Sequence, residues 1–200
     1  MKLKRSLESL ALAVLLCSCA TTSVEKTWKS PSYAGGPVQK VAVLAISDDS
    51  MVRTGLENRL ARQIGAHGQA AITTVKLLSL PQVKQDKAGA AARLRQEGAD
   101  SVLIMRLLDR TTYDRQVRTG STGYDPYDYY SVAFTDMGVS YGSMRDFLVL
   151  DSSLFELNTG SRLWSVVTQT VLKEDADRLA VADKLADKVA AQLLKDGMIR

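Results

Sequence analysis

Val41-Ala42-Val43-Leu44-Ala45-Ile46 is an unbroken apolar run, and half of it is β-branched. A strand with one face in water alternates apolar and polar residues. A run without alternation fits a strand buried on both faces, as in parallel or mixed sheets. The strand is expected over Val38 to Ile46. The residues after it support the same reading. Asp48, Asp49 and Ser50 can each cap a helix N-terminus. Val52, Leu56, Leu60 and Ile64 then recur every four residues, with Met51 and Ala61 beside them, which is one helical stripe. Gly65 and Gly68 end the helix, and Ala70 to Val75 reads as a second strand.

The pattern continues along the chain. Pro81 opens a polar stretch that leads into a helix over Asp86–Glu97, whose apolar face is mainly Ala; Gly98 stops it. Val102-Leu103-Ile104-Met105 is the second continuous apolar run and another central strand. If the sheet winds in one direction, right-handed crossovers put both helices on one side. Phe147–Leu157 and Arg162–Leu172 read as two strands joined by Asn158-Thr159-Gly160-Ser161, a short hairpin turn. Asp175 is expected to cap a final helix. Ala182, Leu185, Ala186, Val189, Ala190 and Leu193 form its apolar face, and Asp183, Lys184, Asp187 and Lys188 lie away from it. The fold class is α/β: a mixed sheet of about five strands in the order β-α-β-α-β, then a β-hairpin and a C-terminal helix, flanked by helices.

The N-terminus has a different character. Lys2, Lys4 and Arg5 precede the apolar run Leu10–Leu16, and Leu16-Cys17-Ser18-Cys19 closes it. This is the layout of a signal peptide. The apolar run is too short to span ~30 Å of hydrocarbon, which needs ~20 residues. Leu16-Cys17-Ser18-Cys19 also resembles the bacterial lipobox. The resemblance implies cleavage after Ser18 and acylation of Cys19, and Ala20 behind the cysteine implies the outer membrane of a double-membraned bacterium. Three acyl chains would anchor firmly, since two membrane signals already suffice. The domain organisation is then 1–18 signal peptide, 19–37 lipidated N-terminus and flexible tether, and 38–200 periplasmic domain. The tether reading rests on Ser, Thr, Lys, Pro31 and Gly35-Gly36, a composition that buries little. Trp28 is its exception, a docking anchor or a membrane-interface residue.

Charge and cysteine usage narrow the function. The chain carries +4, of which Lys2, Lys4, Arg5 and Glu8 supply +2, so the mature part stays near +2. No basic block of the nucleic-acid kind remains. Arg106, Arg110, Arg115 and Arg118, interrupted by Asp109 and Asp114, read as a solvated edge. The two cysteines are Cys17 and Cys19. One leaves with the signal and the other becomes a thioether, so in an oxidising periplasm the domain holds by packing alone.

The catalytic patterns in the sequence are incomplete. Gly138-Val139-Ser140-Tyr141-Gly142 matches G-x-S-x-G, but a strand and not a helix is expected after it, and His67 precedes Ser140. His67, between Gly65 and Gly68, fits a helix terminus. One histidine and no free thiolate leave the usual zinc sets without ligands. No cofactor is expected, and the chain reads as no enzyme. The remaining candidate is the segment 119–143, where Tyr124, Tyr127, Tyr129 and Tyr130 are interspersed with Gly and Asp. Tyr supplies rigid amphipathic contact area and Gly an adaptable backbone, as in binding loops; an edge strand or a spacer is the competing reading.

The lipobox followed by a tether Trp, the strand–helix pair Val38–Ala66 and the hairpin Leu157-Asn158-Thr159-Gly160-Ser161-Arg162-Leu163-Trp164-Ser165 together resemble small outer-membrane lipoproteins of the domain-of-unknown-function type. The last is similar to the Thr-Gly-x-x-x-Trp hairpin of many envelope lipoproteins. More distantly, the chain resembles activator lipoproteins of penicillin-binding proteins and the N-terminal domain of the curli secretion channel. The resemblance implies a mixed sheet with flanking helices that binds proteins. The expected partners are the membrane, through the acyl chains on Cys19, and an envelope protein. The rival reading is a self-assembling, homo-oligomeric subunit of an envelope transport or secretion complex; a periplasmic hydrolase ranks last.

Cys19→Ser should abolish acylation and leave the precursor unprocessed or the protein unanchored. Metabolic labelling with a palmitate analogue checks this, and undiminished labelling of the variant would contradict the lipobox.

Overall fold

The structure is a computed structural model, and it describes residues 21–108, 147–171 and 177–200. Ten elements follow in order: β1 (Thr21–Lys29), β2 (Lys40–Ile46), α1 (Ser50–Ala66), β3 (Ala70–Thr73), α2 (Leu80–Gln85), α3 (Lys87–Gln96), β4 (Ser101–Leu108), β5 (Phe147–Glu156), β6 (Arg162–Val171) and α4 (Arg178–Lys195). The strands form one mixed sheet in the order β1-β6-β5-β4-β2-β3. β2 is parallel to β3 and β4, and the pairs β4–β5, β5–β6 and β6–β1 are antiparallel. The α/β class and the mixed sheet with a C-terminal helix hold.

Two expectations need correction. Among the described residues the sheet has six strands, because residues 21–29 are β1 and not part of a flexible tether. β1 pairs along its length with Trp164–Val171 of β6, Thr21 opposite Val171 and Lys29 opposite Trp164, with a bulge between Val24 and Lys26. Thr21, Thr22, Val24, Thr27 and Trp28 are good strand residues. Val24 packs on the core, while the Lys and Glu side chains keep this edge strand in water. The second correction concerns winding. The chain passes from β2 to β3 on one side of β2, then returns to β4 on the other. Right-handed crossovers in opposite directions put α1 and α2–α3 on opposite faces. Successive β2 residues divide accordingly. Val41, Val43 and Ala45 pack under α1 and α4; Ala42, Leu44 and Ile46 pack with Val83 of α2 and Leu94 of α3.

Local signals account for the helices. Asp49 caps α1, accepting from Met51 N and Val52 N at 2.9 and 3.2 Å. His67 closes that helix as its C-cap, as its flanking glycines suggest. Helix α2 is additional to the expected set. Ser79 and Gln82 form a capping box around it, with Pro81 in the first turn. α3 begins at Lys87 behind its cap Asp86 and stops before Gly98, whose φ of +80° glycine adopts freely. α4 is capped by Asp177, two residues later than expected; Asp175 lies outside the described residues. The stripe Ala182, Leu185, Ala186, Val189, Ala190, Leu193 is fully in the core. Its polar side is less free than expected: Asp183 pairs with Arg59, and Asp187 accepts from Gln63 at 2.5 Å. These pairs advance together by four residues, so α1 and α4 run parallel.

One buried network joins three elements. The Glu57 carboxylate has no exposure. It accepts from Ala45 N at 3.2 Å, Thr74 N and Val75 N at 2.7 Å each, Thr74 Oγ1 at 3.1 Å and Arg53 Nε at 3.0 Å. Arg53 Nη2 donates onward to Leu78 O at 2.9 Å. β3 ends at Thr73, so the amide of Ala45 has no strand partner on that side, and Glu57 supplies the acceptor. Glu57→Gln leaves only one acceptor oxygen for these donors. Breaking a buried, paired charge costs about 3–5 kcal/mol. The variant should lose about 3 kcal/mol in urea unfolding; a loss below about 1 kcal/mol would contradict the structural weight given to this carboxylate.

Candidate functional site

The sheet has two unlike ends. At one end lie the starts of β1 and β5 and the ends of β2, β3, β4 and β6; this end carries Thr21 and is called the anchor end after the acylation expected at Cys19. The opposite, distal end is roughly 30 Å away, since a strand residue spans ~3.3 Å. It is tied together by hydrogen bonds. Asp100 accepts from Gln39 N at 2.7 Å and Lys40 N at 3.0 Å, and Leu157 N donates to Asp100 O at 2.9 Å. Val38 N donates to Met198 O at 3.0 Å, which brings the C-terminus to the same end. Tyr33 lies here too. Burial, helped by the negative charges of Asp100 and Glu156, raises its phenol above the ordinary value, so the hydroxyl stays protonated and donates to Gly36 O at 2.6 Å.

A cleft of about 280 Å³ opens at this distal end, between α3 and the β5–β6 turn. Lys87, Ala88, Ala91 and Arg95 form one stripe of α3, and the two alanines leave the space a larger side chain would fill. Val102 and Phe155 form the floor. Glu156 to Gly160 form the far wall, and this wall is rigid. Thr159 Oγ1 donates to Glu156 Oε2 at 2.6 Å, Ser161 N donates to Thr159 Oγ1 at 3.1 Å, and Gly160 N donates to Glu156 O at 2.9 Å. Gly160 has φ of +70°, which a side chain would strain. Arg95 Nη1 bridges the two walls by donating to Leu157 O at 2.6 Å. Small-molecule pockets run from ~300 to 1,000 Å³. This cleft is at the lower edge and carries both signs of charge.

The hairpin motif contributes in two ways. Thr159 and Gly160 shape the cleft. Trp164 holds the hairpin from behind: it is fully buried, and its Nε1 donates to Asp196 Oδ2 at 2.7 Å. Gln192 Nε2 donates to both oxygens of the same carboxylate, at 3.0 and 2.9 Å. Trp28, expected in a tether, is a β1 residue whose ring lies 4.4 Å beneath the Arg162 guanidinium, a cation–π contact.

Of the residues singled out in the sequence, Cys19, Tyr124, Tyr127, Tyr129, Tyr130 and Ser140 lie outside the described residues. Arg106 is no solvated residue. It is buried in β4, and its Nε and Nη2 donate to Asp151 Oδ2 of β5 at 3.0 and 2.7 Å. Arg110, Arg115 and Arg118 lie outside the described residues. Lys87 and Arg95 are site residues that sequence reasoning passes over; the signal was the Ala-rich face of α3 taken together with the Thr-Gly turn. Among the described residues no group of three His, Cys, Asp or Glu could hold a metal, and no helix is long and apolar enough to cross a membrane.

No family model matches the chain, and no curated protein matches it in sequence. Among solved structures it is similar to the PelC dodecamer from Paraburkholderia phytofirmans, at 16% identity over 86% of this chain and 97% of that one, with a TM-score of 0.49. It is also similar to lipoprotein GNA1162 from Neisseria meningitidis, at 18% identity over 78% of this chain and 99% of that one, with a TM-score of 0.38.

The rigidity of the turn is testable. Gly160→Ala should cost about 1–2 kcal/mol through its left-handed backbone. Trp164→Phe leaves Asp196 short of one buried donor and should cost about 2 kcal/mol. Urea midpoints report both. Unchanged midpoints would mean that the turn is not held as described.

Proposed function

We propose that this chain is an outer-membrane lipoprotein, anchored by acyl chains on Cys19, whose domain binds or scaffolds envelope proteins and transforms no substrate. The observation that carries the proposal is the placement of the two ends. Thr21, two residues after the lipobox cysteine, is already a β1 residue, and the polar cleft opens at the opposite end of the sheet. Anchoring at one end therefore presents Lys87, Arg95, Glu156 and Thr159 toward the periplasm. A preorganised wall with mixed charge favours specific protein recognition, because little ordering entropy is lost on binding. Tyr124, Tyr127, Tyr129 and Tyr130 are proposed as further contacts on the composition of their segment.

A photo-crosslinking amino acid at the exposed Asn158, incorporated in living cells, tests the reading. It should capture a different envelope protein. Glu156→Lys should reduce the adduct about thirtyfold, the loss of a ~2 kcal/mol contact, with the melting temperature within a few degrees of the parent. Adducts made only of two copies of this chain would replace the reading with self-assembly. No adduct at all would remove the cleft as a binding site.

A further inference from the structure

The anchor end has features that the distal cleft does not use. Ala20 alone separates Cys19 from Thr21. An extended residue reaches at most ~3.6 Å, so the Cα atoms of Cys19 and Thr21 are at most ~7 Å apart. The headgroup layer on each side of a bilayer is about 5–7 Å thick, the difference between ~40–45 Å in total and ~30 Å of hydrocarbon. An acylated Cys19 therefore holds Thr21, and Val171 opposite it in the sheet, in or against the headgroups. There is no slack in between, because Thr21 is already a β1 residue.

The side chains at this end fit that surroundings. The large apolar residues exposed among the described residues are Met51 at 65%, Val171 at 46%, Leu179 at 39% and Leu194 at 38%. Leu194 belongs to the last turn of α4. The other three are at the anchor end: Met51 in the first turn of α1, Leu179 in the first turn of α4, and Val171 as the last residue of β6. Leu179 lies against the start of α1, where a methyl placed on Gly55 would meet its Cδ2 at 3.5 Å. Val171 follows the core-facing Thr170 and so points to the sheet face away from α4. The apolar side chains thus straddle the end of the sheet. Lys184 and Lys188 flank Thr22 in a shallow depression beside it, with Asp187 between them. Apolar side chains at the surface with lysines alongside are the composition of an interfacial membrane contact.

We infer that the anchor end is a membrane-docking surface: Val171, Leu179 and Met51 enter the headgroup–acyl boundary of the leaflet that holds the acyl chains of Cys19. The domain is then seated on the bilayer by its own side chains as well as by lipid, with its strands rising from the surface and the cleft facing away. The occupant is the lipid surface because the acyl chains on Cys19 would enter it within ~7 Å of Thr21, and because the side chains exposed around that point are apolar with lysines alongside. The inference rests on the acylation of Cys19.

The test uses the full lipidated chain. It has no thiol besides Cys17, which leaves with the signal, and Cys19, so Val171→Cys, Leu179→Cys and Thr159→Cys each carry one environment-sensitive dye. The proteins are placed in vesicles of phosphatidylethanolamine and phosphatidylglycerol, and intact mass reports acylation. The expected result is blue-shifted emission at 171 and 179 with severalfold quenching by spin-labelled lipids, and solvent-like, unquenched emission at 159. Solvent-like emission at 171 and 179 in acylated protein overturns the docking and leaves the lipoprotein reading in place. A blue shift without lipid quenching means a protein covers this end and overturns it too. Quenching at 159 as well means the domain lies flat, which also overturns it. A mass without acyl chains on Cys19 overturns both readings.

Discussion

The Glu57 carboxylate is fully buried where β2 and β3 part, and three backbone amides converge on it. Two parallel strands that diverge leave inward-facing N–H groups with no partner, and each would be costly in a dry interior. Glu57 answers Ala45 N and Val75 N, and it shares Thr74 N with Val43 O, to which that amide also donates at 3.1 Å. Its charge is balanced by Arg53, one helical turn before it, and Arg53 in turn binds Leu78 O. The chain leaves the α1 face at this point and crosses to the α2–α3 face. The network therefore fixes the crossing that makes the sheet three layers deep, with Leu78 and Leu80 delivered to the second core.

That crossing determines the use of the two ends. With α1 and α4 on one face and α2–α3 on the other, both faces of the β2–β4 half are covered. What this half leaves for outside contact is chiefly its ends. The distal end is rich in turns and fixed by Asp100, Trp164 and Asp196, which hold the cleft wall in one shape. The anchor end carries the start of β1 and the exposed apolar residues. The division follows from chain direction alone: β1 must enter where β6 leaves.

Much of this was legible in the sequence. The runs Val41–Ile46 and Val102–Met105 are too apolar for any place but a central strand, and the stripes of α1 and α4 are unambiguous at helical period. The capping box Ser79-Leu80-Pro81-Gln82 could have disclosed α2. β1 was not legible. Its Thr, Ser, Lys and Glu residues are those of a linker, and its partner β6 lies more than a hundred residues away in sequence, so only tertiary pairing makes it a strand. The winding reversal at β2 was equally hidden, since crossover direction leaves no local mark. Glu57 looked like one more polar helix residue; its spacing of four from Arg53, beside the apolar stripe, was the available hint. For the site, the Thr-Gly turn and Trp164 were visible as a motif, but the α3 wall depends on packing across the sheet.

The central claim is that Thr21, two residues after Cys19, already belongs to the folded sheet, as a β1 residue opposite Val171. Hydrogen–deuterium exchange on the protein tests it, with the 21–29 segment compared against 30–37. The expected result is slowed exchange for the β1 amides that face β6, comparable with β6 itself, and faster exchange after Lys29. Exchange of 21–29 at the rate of an unstructured peptide would contradict the claim and return this segment to a tether.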